Sequence, residues 1–242
     1  IYSSDSLGQG LVIFKTNNKS EFSYVNFKGL SNISSFGWNL SGAITFYESE
    51  VDFNNCSFVN NLRGDDYLNI VRTNFNILNS KFENTNSDAL DSDYCNGYIE
   101  NIEFLNVGND AIDVSGTKLH VNKVNILNPG DKGISGGEKS HLIAKNIKII
   151  GGEIAVASKD DSVIDINEII IDSTKLGYCS FQKKSEFGPG TIIVQNAIAK
   201  NVETKYLIET GSFLLINGKD IKDKSNNVIE KLYGSEYGKS SK

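Results

Sequence analysis

Short runs in which every second residue is apolar recur along the chain, separated by Asn and Gly. Phe27, Phe58, Phe82, Phe104, Ile126, Ile149 and Ile171 each close such a run, at intervals of 31, 24, 22, 22, 23 and 22 residues. A second inward column reads Ile77, Ile99, Val121 and Ile143, again at 22. Period-two alternation over four to six positions, rich in β-branched and aromatic residues and broken by Asn and Gly, predicts strands. Little of the chain carries a helical period. Strands recurring in parallel, one coil per repeat, predict an all-β solenoid of about 22 residues per coil with three short sheets per turn, a parallel β-helix.

The polar positions keep the same beat. The phrases SDALD, NDAID and DKGIS place Asp88, Asp110 and Lys132 at an interval of 22, and Asp91, Asp113 and Ser135 likewise. Leu90, Ile112 and Ile134 form the apolar column between them. One coil upstream, DDYLN supplies Asp66, Leu68 and Asn69 in register. The period therefore predicts a file of stacked carboxylates. Asn61, Asn84, Asn106 and Asn128 recur at corners and predict a stacking turn ladder.

The beat loosens twice, at 28–42 (a loop or cap carrying Trp38) and at 181–190. The solenoid is expected over 1–218, with 219–242 as a C-terminal cap and tail covering its open end, a short helix at NNVIEKLYG and a disordered GKSSK end. The chain opens at Ile1 rather than Met and is read as part of a longer protein, with no signal peptide visible.

Composition narrows the chemistry. A net charge of −6 argues against a nucleic-acid partner, and no apolar run reaches the ~20 residues that span a bilayer. Cys56, Cys95 and Cys179 lie far apart without a CxxC pair and read as small buried hydrophobes. His120 and His141 fall in polar-alternating strands and read as exposed strand residues.

Two carboxylates one rung apart repel by roughly 3 kcal/mol at an effective dielectric of ~20, so such a file needs a cation or a proton. Two uses are open. Asp88, Asp91, Asp110 and Asp113 are hard oxygen donors suited to Ca²⁺. With such an ion neutralising an acidic sugar, Lys132 or Lys159 would abstract the proton α to its carboxylate, a β-elimination. Alternatively, two carboxylates such as Asp88 and Asp110 share glycoside hydrolysis: one rung apart gives the ~5 Å of a retaining pair, while Asp66 and Asp110, two rungs apart at ~9.6 Å, sit near the inverting range. Asp66, Arg72, Glu138, Lys183 and Lys184 are candidate substrate-binding residues around this file.

The run Asn86 to Asp91 resembles the NTDGxD motif of polygalacturonases in the pectin-lyase-like superfamily. Gly108 to Asp110 resembles their GDD motif, with Asn109 in place of the first Asp. Lys132 to Ser135 resembles their HGxS motif, with Lys in the His position. Asn109 to Asp113, with Asp88 or Asp91, is similar to the aspartate cluster of calcium-dependent pectate lyases that use a lysine base. The phrases GWNLSGAITFYES, GNDAIDVSG, GDKGISGGE, VASKD and FQKKSEFGPG resemble a β-helix module of secreted or surface bacterial proteins, sometimes near spore-coat-H-like kinase domains. The resemblance implies a right-handed, single-stranded parallel β-helix. It also implies a secreted or surface protein that processes an acidic polysaccharide with calcium; the alternative is a non-catalytic glycan- or metal-binding module of a larger protein.

Overall fold

Parallel strands stack coil on coil along the chain, and three faces are traversed in every turn. The computed structural model describes residues 1–3, 8, 10–35, 37–61, 63–234 and 237, so the GKSSK end lies outside the described residues. It forms a right-handed parallel β-helix. The first face is a nine-stranded sheet: Leu11–Phe14, Gly42–Tyr47, Asp66–Val71, Asp88–Asp93, Ile112–Ser115, Lys132–Gly137, Ile154–Lys159, Leu176–Phe181 and Thr204–Ile208.

The second and third faces are separate only in the early coils, as in Asn74–Leu78 and Lys81–Thr85. From Asn96–Val107 onward one long strand bends across both, so two continuous sheets replace the three expected. The bend is one left-handed residue, Asn101 (φ 57°), followed in later coils by Lys123, Asn146, Glu168 and Asn196. Asn tolerates that backbone region better than most residues, which is why it marks the corners.

Inside, the register matches the apolar columns. Phe27, Phe58, Phe82 and Phe104 stack nearly parallel, with centroids 5.1, 4.4 and 5.0 Å apart, and the column continues through Ile126, Ile149 and Ile171. Outside, amides bond along the axis: Asn84 donates to Asn60, Asn106 to Asn84 and Asn128 to Asn106, each at 3.1 Å. This ladder starts at Asn60 rather than Asn61, which is buried and whose Oδ1 accepts from the Asn86 backbone N–H at 2.7 Å.

One inward column departs from the expected spacing. Val121 pairs with Ala144, while Ile143 faces outward opposite His120 and is 45% exposed. The corner before it holds two consecutive left-handed residues, Glu138 and Lys139. The extra residue lengthens that coil by one, and a one-residue shift in a strand exchanges its two faces. All three cysteines are buried and free, and both histidines are exposed.

After the last coils the chain reverses. An antiparallel strand, Lys219–Asp220, and a short helix, Val228–Leu232, follow. Val228, Leu232 and Tyr237 pack on Ile154, Ala157, Leu176, Cys179, Phe181 and Leu207. The last segment thus lies against the outer surface of the first face, besides ending the coil stack.

Phe82 sits fully buried between two stacked rings. Phe82→Ala is expected to cost about 3–5 kcal/mol in denaturant unfolding; a loss under about 1 kcal/mol, the size of an ordinary surface change, would show that the aromatic stack does not hold the early coils.

Candidate active site on the first face

Side chains alternate across each strand of the first face, so its outer surface carries two columns. One runs Val12, Thr45, Asn69, Asp91, Asp113, Ser135, Ala157, Cys179. The other runs Phe14, Tyr47, Val71, Asp93, Ser115, Gly137. Since Gly136 pairs with Ser158, Lys159 follows Gly137 in the second column, and it pairs with Phe181. The columns are apolar at both ends and charged in the middle.

Asp66, Asp88 and Asp110 enter their strands at equivalent positions, with Asp66 paired to Asp88. These carboxylates are buried and tie coil to coil. Asp88 Oδ1 accepts the Asp110 backbone N–H at 2.8 Å and the Asn109 amide at 2.7 Å. Asp110 Oδ1 accepts the Lys132 N–H at 3.0 Å. Burial pushes Asp66 up to about 7. Burial and then the neighbouring Asp110 push Asp88 up to about 8. Burial raises Asp110 as well, but Lys132 opposes it, leaving it at about 6.

Two lysines supply the positive charge. Lys132 Nζ lies 3.4 Å from Asp110 Oδ1 and 2.5 Å from Asp131 Oδ2, both pairs buried or nearly so. Lys159 reaches back across two coils, donating to Ser135 Oγ at 2.8 Å and standing 3.5 Å from Asp113 Oδ1. Its stem lies over Gly137, where an added Cβ would come within 2.8 Å of Lys159 Cε. Burial works to neutralise both lysines, but their carboxylate neighbours outweigh it and hold both above the usual lysine value. Their neighbours thus favour the ammonium form of both lysines.

The outward-facing carboxylates diverge. Burial, then Asp66, Asp93 and Asp113, hold Asp91 well above the usual carboxylate range. Burial also acts to raise Asp113, yet Lys159, the Ser135 hydroxyl and Lys132 overcome it and hold Asp113 low. Asp91 is further oriented by the Asn69 amide, which donates to Oδ2 at 3.0 Å. Asp93, in the same strand, is raised by burial, Asp113 and Glu138.

The rim comes from the corners and the 181–190 excursion. Asp160 Oδ1 accepts the backbone N–H groups of Lys183 and Lys184 at 2.6 and 2.8 Å, fixing that loop. Lys184 Nζ bonds Glu138, and Tyr94 donates to Glu138 at 3.2 Å. Lys183 Nζ lies 4.9 Å from the Tyr233 ring centre. Burial, followed by Lys159 and Lys132, lowers Lys183. Tyr233 is raised by burial against the pull of the same two lysines. Arg72 stands further off, on the corner after its strand, donating to Tyr47 Oη at 3.0 Å with its guanidinium 5.9 Å from the Tyr94 ring.

The expected residues are therefore brought to one side of the molecule. Tyr233, Asp93 and Asp131 belong with them; Asp131 opens the DKGIS phrase one residue before Lys132, and Tyr233 arrives by the returning C-terminal segment. The donor set fits a lysine-neutralised cluster rather than a calcium cage. Asp110 and Asp113, two of the four expected calcium ligands, are engaged by ammonium groups.

No protein-family model matches the chain, and no curated protein does. Among solved structures it is similar to the catalytic domain of a GH87 alpha-1,3-glucanase in complex with nigerose, at 12% identity over 85% of this chain and 55% of that one, with a TM-score of 0.40. It is also similar to a glycoside hydrolase at 13% identity, covering 66% of this chain and 38% of that one, with a TM-score of 0.36. The chain spans about half the length of the glucanase domain. Likeness of this size assigns no activity.

Raised carboxyls set a pH dependence of stability. Asp66, Asp88 and Asp110 hold protons more tightly folded than unfolded, so between about pH 4 and pH 8 the folded state binds more protons and stability falls as pH rises. Asp88→Asn keeps an oxygen for the Asp110 amide and removes the charge. Thermal unfolding is expected to find the variant several degrees more stable than wild type at pH 8 and little different at pH 4. A variant less stable than wild type at pH 8 would show that Asp88 is ionised in the fold.

Proposed function

We propose that this chain is a secreted or surface polysaccharide-processing β-helix protein, and that Asp91 and Asp113 carry glycosidic bond hydrolysis. The observation that supports this reading is their pairing on adjacent rungs of the outer face, half-buried, with only Asp113 held by an ammonium group. One carboxyl that keeps its proton beside one that loses it is the division of labour glycoside hydrolysis requires. Asp91, protonated, gives its proton to the leaving oxygen. Asp113, ionised and fixed by Lys159 and Ser135, attacks the anomeric carbon or activates a water.

Their backbones lie one rung, about 4.8 Å, apart. That is nearest the ~5–5.5 Å carboxyl separation of retaining enzymes, in which Asp113 would form the covalent intermediate. Lys132 and Lys159 act as counter-ions rather than bases, which favours hydrolysis over elimination. Asp88 and Asp110 are positioning residues, since their oxygens bond the next coil. Those same bonds favour a second reading, a non-catalytic glycan-binding module whose aspartates serve only the coil.

Neutral glucans and uronate polymers incubated with the protein separate these readings. Hydrolysis is expected to release reducing ends without unsaturated sugars, and Asp113→Asn to slow it by about 10²–10⁴-fold with the fold retained. Unsaturated product would restore the lysine-base elimination. No product from any glycan, with binding intact, would leave the module reading.

A further inference from the structure

The two apolar ends of the outer face are treated differently. At the C-terminal end, Ala157, Cys179, Phe181 and Leu207 are covered by Val228, Leu232 and Tyr237. At the N-terminal end, Phe14 and Tyr47 stand in the same column as Asp93, with rings stacked 5.0 Å apart at 13°. Trp38 meets the Phe14 ring edge-on at 5.9 Å. Phe14 and Trp38 are each 49% exposed. Exposed aromatic residues gathered on one face are a candidate binding surface.

We propose that Phe14, Tyr47 and Trp38 form an aromatic subsite for a neutral glycan that lies along the first face and reaches the carboxylate cluster. This rests on reading that cluster as glycan-processing. Tyr47 is two coils from Asp93 and Phe14 three, about 10 and 14 Å at 4.8 Å per coil. A glycan held on the rings therefore extends directly to Asp93 and Asp91.

Chemistry selects the occupant. A pyranose ring presents apolar C–H groups on its faces, which pack on exposed aromatic carbon such as the Trp38 indole and the free margin of the Phe14–Tyr47 stack, and hydroxyls at its edge. Arg72, donating to Tyr47 Oη at 3.0 Å, and Tyr94, 55% exposed, place polar groups between platform and cluster. Charge at the carboxylate cluster favours a neutral chain over a polyanion. Lys132, Lys159 and Lys184 are each committed to a carboxylate of the protein, so an incoming uronate would face Asp91, Asp93 and Asp113 without a free partner among those three. The acidic polysaccharide expected from the sequence is replaced in this proposal by a neutral one.

The test measures binding of neutral gluco-oligosaccharides, from disaccharide to hexasaccharide in α- and β-linked series, and of polygalacturonate, by calorimetry. Wild type, Trp38→Ala, Phe14→Ala and Asp113→Asn are compared. The proposal expects hexasaccharide affinity to fall about tenfold in Trp38→Ala and Phe14→Ala, the size of one lost aromatic anchor. Melting temperature and disaccharide affinity should be unchanged, and polygalacturonate should bind more weakly than the neutral hexasaccharide. Asp113→Asn should keep hexasaccharide binding even if turnover is never found, so a failed catalytic reading leaves the subsite standing. Unchanged hexasaccharide affinity in both aromatic variants, absence of binding by every neutral series, tighter binding of polygalacturonate, or self-association that disappears with Trp38→Ala would each overturn it.

Discussion

A file of carboxylates one coil apart is held together by two buried ammonium groups. In-register stacking leaves the chain no freedom here: whatever side chain stands at one rung stands about 4.8 Å from its counterpart on the next. For Phe27, Phe58, Phe82 and Phe104 this makes an aromatic column, and for Asn60, Asn84, Asn106 and Asn128 an amide ladder. For Asp91 and Asp113 it makes repulsion, relieved by Lys159 arriving from two coils away. Lys132 does the same for Asp110 from the next rung. Remove the lysines and the remaining relief is protonation, toward which burial already drives Asp66 and Asp88.

That arrangement also explains why the middle of the first face differs from its ends. Apolar residues at the C-terminal end are sealed by the returning helix, and aromatic residues at the N-terminal end are left open. Between them the charges are sorted. Lysine neighbours hold Asp113 low, while burial and the surrounding aspartates raise Asp91. The loop at 181–190, pinned by Asp160, and Tyr233 close one side of it.

The coil and the carboxylate file were legible because both are periodic: a 22-residue beat is visible wherever Asp88, Asp110 and Lys132 recur. Ile143 escaped because a corner of two left-handed residues, Glu138 and Lys139, adds one position without any apolar signal. Asn60 escaped for a related reason, since two adjacent asparagines offer the same residue type at both phases. Tyr233 was not legible at all. It comes from outside the repeat, and only the apolar patch left by Ala157, Cys179 and Leu207 explains why the tail returns. The charge state of the lysines was not legible, because spacing reveals proximity but neither burial nor the reach of Asp113 and Asp131.

The pairing of Lys159 with Asp113 is the measurable core of this account. A double-mutant cycle of Asp113→Asn and Lys159→Met, read by denaturant unfolding at neutral pH, isolates their coupling. The account predicts each single substitution to destabilise the fold and the pair together to cost less than their sum, with a coupling of about 1 kcal/mol or more. Strict additivity would contradict it, because the lysine would then be neutralising something other than the aspartate file.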